Sequence, residues 1–209
     1  MPNLIQKIAK KGLNFSAKGA KRGPHITRYF LYKRLGEILN TGTRSGKILS
    51  ISHSDRLCRF FDLKQSEVVE ANYPDYNILS LPFGEGEFDY ILSDQVLEHV
   101  EGNPQAAIDE TLRILKPGGI AVHTTCFIYP VHSYPGDFWR YTPDALKLLC
   151  QNFNKIIDVG GWGNRYVWLM DGLGLLYEGI PERPQHPLHK LATLNEPQWP
   201  VVTWIVAQK

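Results

Sequence analysis

Leu4, Ile5, Ile8 and Leu13 recur at near-helical spacing among lysines. They predict an amphipathic basic segment over residues 1–23 that loosens into a Gly-, Ser- and Lys-rich linker. From Pro24, residues Ile26, Phe30, Leu31, Leu35 and Ile38 form one broad helical stripe that ends at Asn40 to Gly42, so this second helix should dock on a main body. The periodicity then changes. Short apolar runs at 47–52, 67–72, 88–94 and 119–127 are nearly continuous in hydrophobicity, as strands buried on both faces of a parallel sheet are.

Between the last two runs the sequence marks a helix clearly. Asn103 caps it, Pro104 takes the first turn, Ile108, Leu112 and Leu115 share a face, and Pro117-Gly118-Gly119 stops it. Thr142-Pro143-Asp144 opens another helix by the same logic, and 155–161 and 201–209 supply two further strands. The stretch between those strands starts with a short helical pattern and becomes a loop containing proline and histidine, long enough to serve as a lid or substrate wall. Alternating strands and helices joined by right-handed crossovers give an α/β, three-layer sandwich whose ligands bind at the C-terminal strand ends.

Composition narrows the class. With 209 residues, 43% apolar and 21% charged, the chain can build one core and is neither disordered nor fibrous. It contains no run of the ~18 apolar residues a membrane span needs and no apolar signal stretch at its start, so a cytoplasmic protein is expected. Cys58, Cys126 and Cys150 are scattered and odd in number, which suggests reduced core thiols rather than a disulfide framework. The His186-Pro187-Leu188-His189 pair lacks a third ligand nearby, and no metal is expected. Charge is uneven: residues 1–47 carry eleven Lys or Arg against Glu37 alone. That imbalance fits either a solvated basic helix facing its own acidic body or peripheral contact with an anionic membrane. Nucleic acid is not expected, because no stacking aromatic accompanies Lys7, Lys10, Lys11, Lys18 and Lys21.

The strand ends carry the candidate chemistry. The first ends in Ser50-Ile51-Ser52-His53-Ser54-Asp55-Arg56, without the glycines that permit left-handed backbone, so an anion cradle and a plain helix cap by Ser54 both remain open. Glu70 closes the second run, where an acid in a doubly wound sheet accepts from ribose hydroxyls. Asp94 and Gln95 close the next. Beyond the run at 119–127, His132, Tyr134, Asp137, Trp139 and Arg140 crowd between Pro130 and Pro143. There His132 is the candidate base, Asp137 and Arg140 orient it or pair structurally, and Tyr134 and Trp139 wall a substrate.

The order LPF, FD, LEHV and LKPGG across residues 81–119, followed by PGDFWRYTPDALKLL, resembles the class I S-adenosylmethionine-dependent methyltransferases, in particular their small-molecule type 11 subgroup. The likeness covers about residues 45–160. It implies a Rossmann-like, seven-stranded, mostly parallel sheet with an antiparallel last strand, preceded by N-terminal helices, within a methyltransferase-like domain at 24–209. It also implies S-adenosylmethionine as cofactor. On that resemblance Ser50, Ser52 and Ser54 occupy the first motif, Glu70 holds the ribose, Asn77 and Ile78 lie by the adenine, and Asp94 and Gln95 border the methionine end. The family's first motif is an acid followed by GxGxG, whereas this chain reads Ser50, Ser52, Ser54 and Arg56 there. The expected function is methyl transfer to an oxygen or nitrogen of a small molecule or glycan. The alternative is a methyltransferase-like binding or regulatory protein that no longer uses the cofactor catalytically.

Overall fold

The computed structural model describes residues 3–40, 45–58, 60–61 and 66–209. They form two compact units, one of Met1–Arg34 with Trp162–Val201 and one of Leu35–Gly161 with Val202–Lys209.

The second unit holds the main sheet. Its strands are β2 (Lys47–Ile51), β3 (Glu67–Ala71), β4 (Phe88–Asp94), β5 (Leu115–Cys126), β6 (Lys155–Trp162) and β8 (Val202–Gln208), in the order β3-β2-β4-β5-β8-β6. The first four are parallel neighbours, and β8 runs antiparallel to β5, as expected of the last strand. The described residues give this sheet six strands where the family resemblance implied seven. Residues 72–87 join β3 to β4 through an isolated Asn77–Ser80 bridge. A further parallel strand there would need a crossover of about a dozen residues on each side, for which the segment is too short.

Sequence logic explains the crossover that fixes the site. In α4 (Pro104–Ile114) the Asn103 side chain accepts the Gln105 N–H, Pro104 occupies the first turn, and Ala107, Ile108, Thr111 and Ile114 face the core. The helix stops at Ile114, one residue before the expected Leu115 and ahead of Pro117-Gly118-Gly119. Leu115 is recruited into β5 because it pairs with Phe88 across an irregular register. Gly118, at φ +79, adopts the left-handed backbone that glycine tolerates best. In α5 (Pro143–Leu149) the Thr142 hydroxyl accepts the Ala145 N–H. The core packs Leu49, Ile51, Phe88, Ile91, Ile108, Ala121 and Ile205 between strands and helices.

The first unit contains α1 (Leu4–Ser16) and a two-stranded ribbon of β1 (Arg22–His25) with β7 (Gly179–Pro181). It also holds α6 (Val167–Gly172) and α7 (Pro187–Thr193). Part of the stretch read as linker is therefore a strand, paired with a partner too remote in sequence to leave a local signature. Asn3 and Gln6 form a reciprocal capping box at the start of α1. Lys10 pairs with Glu178 at 2.9 Å, and Gln6 donates to the Gly172 carbonyl. His186 caps α7 through the Leu188 N–H and meets the Ser16 hydroxyl at 3.1 Å, while His189 packs edge-on to Tyr29. The two histidines thus have separate structural partners.

The second predicted helix is α2 (Ile26–Leu39), whose expected stop at 40–42 lies partly outside the described residues. Ile26, Leu31 and Leu35 are buried as predicted, together with Tyr29, Tyr32 and Leu39. Phe30 stacks on Trp162.

Candidate functional site

A cavity of about 500 Å³ opens where the parallel strands end. Its lining comes from the turn after β2 (Ser52, His53), the segment after β3 (Tyr73, Tyr76 to Leu79), the segment after β4 (Gln95, Val96, His99 to Glu101) and the 134–138 loop. This is the sheet edge where α/β folds bind ligands, because successive crossovers leave a crevice there.

The turn after β2 takes an unusual backbone course. Ser52 has φ +51 and His53 φ +64, and across the cavity Gln95 has φ +61. Left-handed backbone costs a residue with a Cβ roughly 1–2 kcal/mol. Local hydrogen bonds hold it: Ser52 N–H donates to Ala71 O, His53 N–H to Asn72 Oδ1, and Gln95 N–H to Thr124 O. Serine and histidine therefore follow the path that glycine usually provides. Among the described residues these three are the non-glycine residues with positive φ, and all three line the cavity.

The other serines of this segment act behind the turn. Ser50 is buried and donates to Glu70 Oε2 at 3.0 Å, joining two residues in register on β2 and β3. Ser54 is buried, donates to Ile51 O and accepts the Asp94 N–H at 2.7 Å, which ties the end of β2 to the end of β4. Its hydroxyl is engaged in that tie, although a single helical turn, α3 (Asp55–Cys58), does begin at the next residue. Asp94 Oδ1 accepts the Thr124 hydroxyl at 2.6 Å, and Gln95 Nε2 donates to the same Thr124 oxygen. Of the expected cofactor residues, Ser52, Asn77, Ile78 and Gln95 line the cavity, while Ser50, Ser54, Glu70 and Asp94 lie outside its lining.

The 129–142 loop is organised by Asp137, whose side chain is only 1% exposed. Its carboxylate receives a bidentate pair from Arg140, including Nη2 to Oδ2 at 2.7 Å, and accepts the His132 backbone N–H at 2.8 Å. The adjacent guanidinium holds the Asp137 carboxyl well below the usual carboxylate range, against the opposing effect of burial. Arg140 also reaches the carbonyls of Tyr129, Pro130 and Trp139, so it pins both ends of the loop. His132 Nδ1 faces Pro130 O at 3.2 Å and Asp137 Oδ2 at 3.3 Å. Both are acceptors, so the proton belongs on Nδ1 and Nε2 is the basic nitrogen. Burial lowers the His132 pKa, which keeps the ring neutral at pH 7.

Tyr134 projects into the cavity lining, whereas Trp139 is anchored by its indole N–H to Val100 O at 2.8 Å. His132, Asp137 and Arg140 stand outside the lining. Two imidazoles line the cavity, His53 on the turn after β2 and His99 beyond β4. His99 Nδ1 meets Gly136 O, and its ring packs edge-to-face on His132. Sequence reading missed this placement because both contacts come from a loop distant in sequence. His53, Tyr73, Tyr76, Glu101 and Phe138 were likewise not singled out.

Glu98, Cys126 and His132 bring possible ligand atoms within 4.8 Å of one another. The Glu98 carboxylate already accepts the Thr125 hydroxyl. Burial, reinforced by the Glu98 charge, pushes the Cys126 thiol far above its usual range, and a protonated thiol is a poor metal ligand.

Residues 36–123 match the family model of a methyltransferase domain. The match spans 88 of the chain's 209 residues, from the last turn of α2 into β5. Solved structures share this fold. A S-adenosylmethionine-dependent methyltransferase from Archaeoglobus fulgidus is 14% identical, with 87% of this chain and 94% of that one covered and a TM-score of 0.54. The 1,6-didemethyltoxoflavin-N1-methyltransferase of Burkholderia thailandensis is 13% identical, covering 85% and 77% of the two chains, with a TM-score of 0.53. The phosphoethanolamine N-methyltransferase 2 of Haemonchus contortus, solved with S-adenosyl-L-methionine, is 12% identical over 87% of this chain and 52% of that one, at a TM-score of 0.55. No curated protein matches in sequence. At such identities the methyltransferase domain and these structures have the fold in common, and the acceptor must be argued from this chain's own cavity.

Proposed function

We propose that the protein is an active methyltransferase whose acceptor is an oxygen or nitrogen of a small molecule or glycan. The observation that carries this reading is the clustering of left-handed Ser52, His53 and Gln95 around one cavity of about 500 Å³. Strained backbone persists where surrounding structure over-determines it, and such sites are characteristically functional. A volume of this order fits a small-molecule site.

The donor set suits S-adenosylmethionine. Ser52, His53 and Gln95 present polar side chains, Asn77 offers an amide, and Ile78 and Tyr73 provide apolar walls for a purine. Glu70, exposed at the C-terminal end of β3 and outside the lining, is the acid for ribose hydroxyls of a cofactor that reaches past the cavity, and Ser50 orients it. Bound there, the cofactor supplies an electrophilic methyl group. The protein's tasks are alignment and exclusion of water. Tyr134, Phe138 and Pro135 wall the acceptor side, and His99 Nε2 accepts the acceptor's proton. In this reading His132, held by Pro130 and Asp137, fixes the orientation of His99 from behind.

A second reading, a methyltransferase-like binding or regulatory protein, draws support from the first motif, where Ser52 stands at a glycine place and both Ser52 and His53 put side chains into the cavity lining. Incubation with methyl-labelled S-adenosylmethionine and a panel of small amines, phenols and saccharides separates the two. Transfer of label into one acceptor class, with stoichiometric formation of the demethylated cofactor, supports the enzyme. Cofactor binding without transfer to any acceptor class favours the binding protein.

A further inference from the structure

Helix α1 carries its apolar side outward. At about 100° per residue, Leu13 and Ala17 fall on one side of the helix and Leu4, Ile5, Ile8 and Phe15 on the opposite one. Leu13 and Ala17 are buried within the first unit. Leu4 is 72% exposed, Ile5 63%, Ile8 61% and Phe15 85%. The four residues that sequence periodicity groups on one stripe therefore divide: Leu13 anchors the helix, and the others face solvent. The anchoring is specific, since Gln6 donates to Gly172 O, Lys10 pairs with Glu178, and Ser16 meets His186. The outward stripe is thus held in place and cannot roll inward to cover itself.

The charges beside this stripe are of one sign. Lys7 and Lys11 are exposed along its edge, and α1 contains no acid. Lys10 and Arg22 are engaged with Glu178, so the basic residues on the buried side are matched by the unit's own acids, whereas Lys7 and Lys11 make no ion pair among the described residues. An apolar stripe bordered by lysines fits the boundary between anionic headgroups and acyl chains. A second copy of the same face would set lysines against lysines.

We propose that α1 is a membrane-surface docking helix that seats Leu4, Ile5, Ile8 and Phe15 at an anionic lipid interface while Lys7 and Lys11 meet the headgroups. No helix among the described residues is long and apolar enough to cross a membrane, so the contact is peripheral. Recruitment of this kind would bring the catalytic cavity to acceptors concentrated at a membrane.

The test is co-sedimentation of the full chain with vesicles of phosphatidylcholine alone and with one third phosphatidylglycerol, beside light scattering of the free protein. The wild type is expected to partition onto the anionic vesicles and weakly onto the neutral ones. A basic residue near an anionic surface contributes about fivefold in partition, so neutralising both Lys7 and Lys11 to Gln should lower binding by at least tenfold. The triple change Leu4→Gln, Ile5→Gln, Ile8→Gln should lower it at least as much without moving the thermal transition, since these side chains are solvent-exposed. Leu148→Gln, an exposed apolar residue on α5, should leave binding unchanged. No partition by wild type, or equal partition by the triple variant, overturns the proposal. A wild-type dimer that the triple variant converts to monomer, with no vesicle binding, assigns the face to a second copy instead. Methyl transfer to a soluble acceptor should be unaffected by the triple change, which keeps this outcome separate from the catalytic reading.

Discussion

The imidazoles of His99 and His132 meet edge-to-face with centroids 5.0 Å apart, and each commits its Nδ1 to a peptide carbonyl, Gly136 O for His99 and Pro130 O for His132. Each ring therefore keeps Nε2 as the basic nitrogen. His99 has the place in the cavity and His132 the support of Asp137. The expected result is that His99→Gln loses about 10²- to 10⁴-fold in single-turnover methyl transfer while cofactor affinity stays within about threefold. His132→Gln should lose less and shift the pH profile. A His99→Gln rate near wild type, with His132→Gln carrying the full loss, would return the role of base to His132.

Asp137 and Arg140 hold the loop around those imidazoles. Removing one member of a buried pair leaves the other uncompensated, so Asp137→Asn should destabilise the protein by about 3 kcal/mol in urea unfolding. The depressed Asp137 pKa gives the direction with pH: its contribution is full above the ordinary carboxylate range and is lost as pH falls below it toward the folded pKa. In Asp137→Asn that acid-side loss should be absent.

The backbone after β2 supplies a prediction of opposite sign. Ser52→Gly relieves a left-handed residue, at about 1–2 kcal/mol, against the roughly 0.5–1 kcal/mol that glycine loses in chain entropy. A small gain in melting temperature should result. Ser52→Val should lower it, because a β-branched side chain at φ +51 is strained. A stabilising Ser52→Val would show that the turn does not hold this conformation in solution.

His123 is fully buried on β5, with Ser93 Oγ at 2.8 Å from Nδ1 and Thr111 Oγ1 at 3.4 Å from Nε2. Burial lowers its pKa to about 4, so the unfolded chain takes up the proton first. Stability should fall as pH drops from about 6.5 toward 4, by a total of about 3 kcal/mol. Thermal melts across that window measure it directly. His123→Gln should flatten the slope there, and an unchanged slope would assign the acid sensitivity to other groups.

Local chemistry made much of the fold legible. Asn103 and Pro104, and Thr142 with Pro143, mark helix starts by cap and first-turn rules that depend only on neighbours, and both helices begin there. The parallel strands showed in their continuous apolar runs. Pairings formed across long loops left no such trace: β1 with β7, Leu115 with Phe88, and His99 with Gly136 O each depend on a partner distant in sequence. The same holds in the cavity. Ser52 and Ser54 look equivalent in the sequence, yet one lines the cavity and the other ties strand ends together behind it. Alternation of apolar and polar residues predicted that α1 is amphipathic, but the contacts of Gln6 and Lys10 decide which side faces solvent.

The central claim is that the cavity binds S-adenosylmethionine with Glu70 as the ribose acid, and calorimetric titration of the full chain with the cofactor and its demethylated product tests it most directly. The account predicts saturable one-to-one binding of both, weakened in Glu70→Ala by about ten- to a hundredfold, the ~1.5 to 3 kcal/mol of a charged hydrogen-bond acceptor. Absence of binding by the wild type at millimolar cofactor, or undiminished affinity in Glu70→Ala, would contradict it.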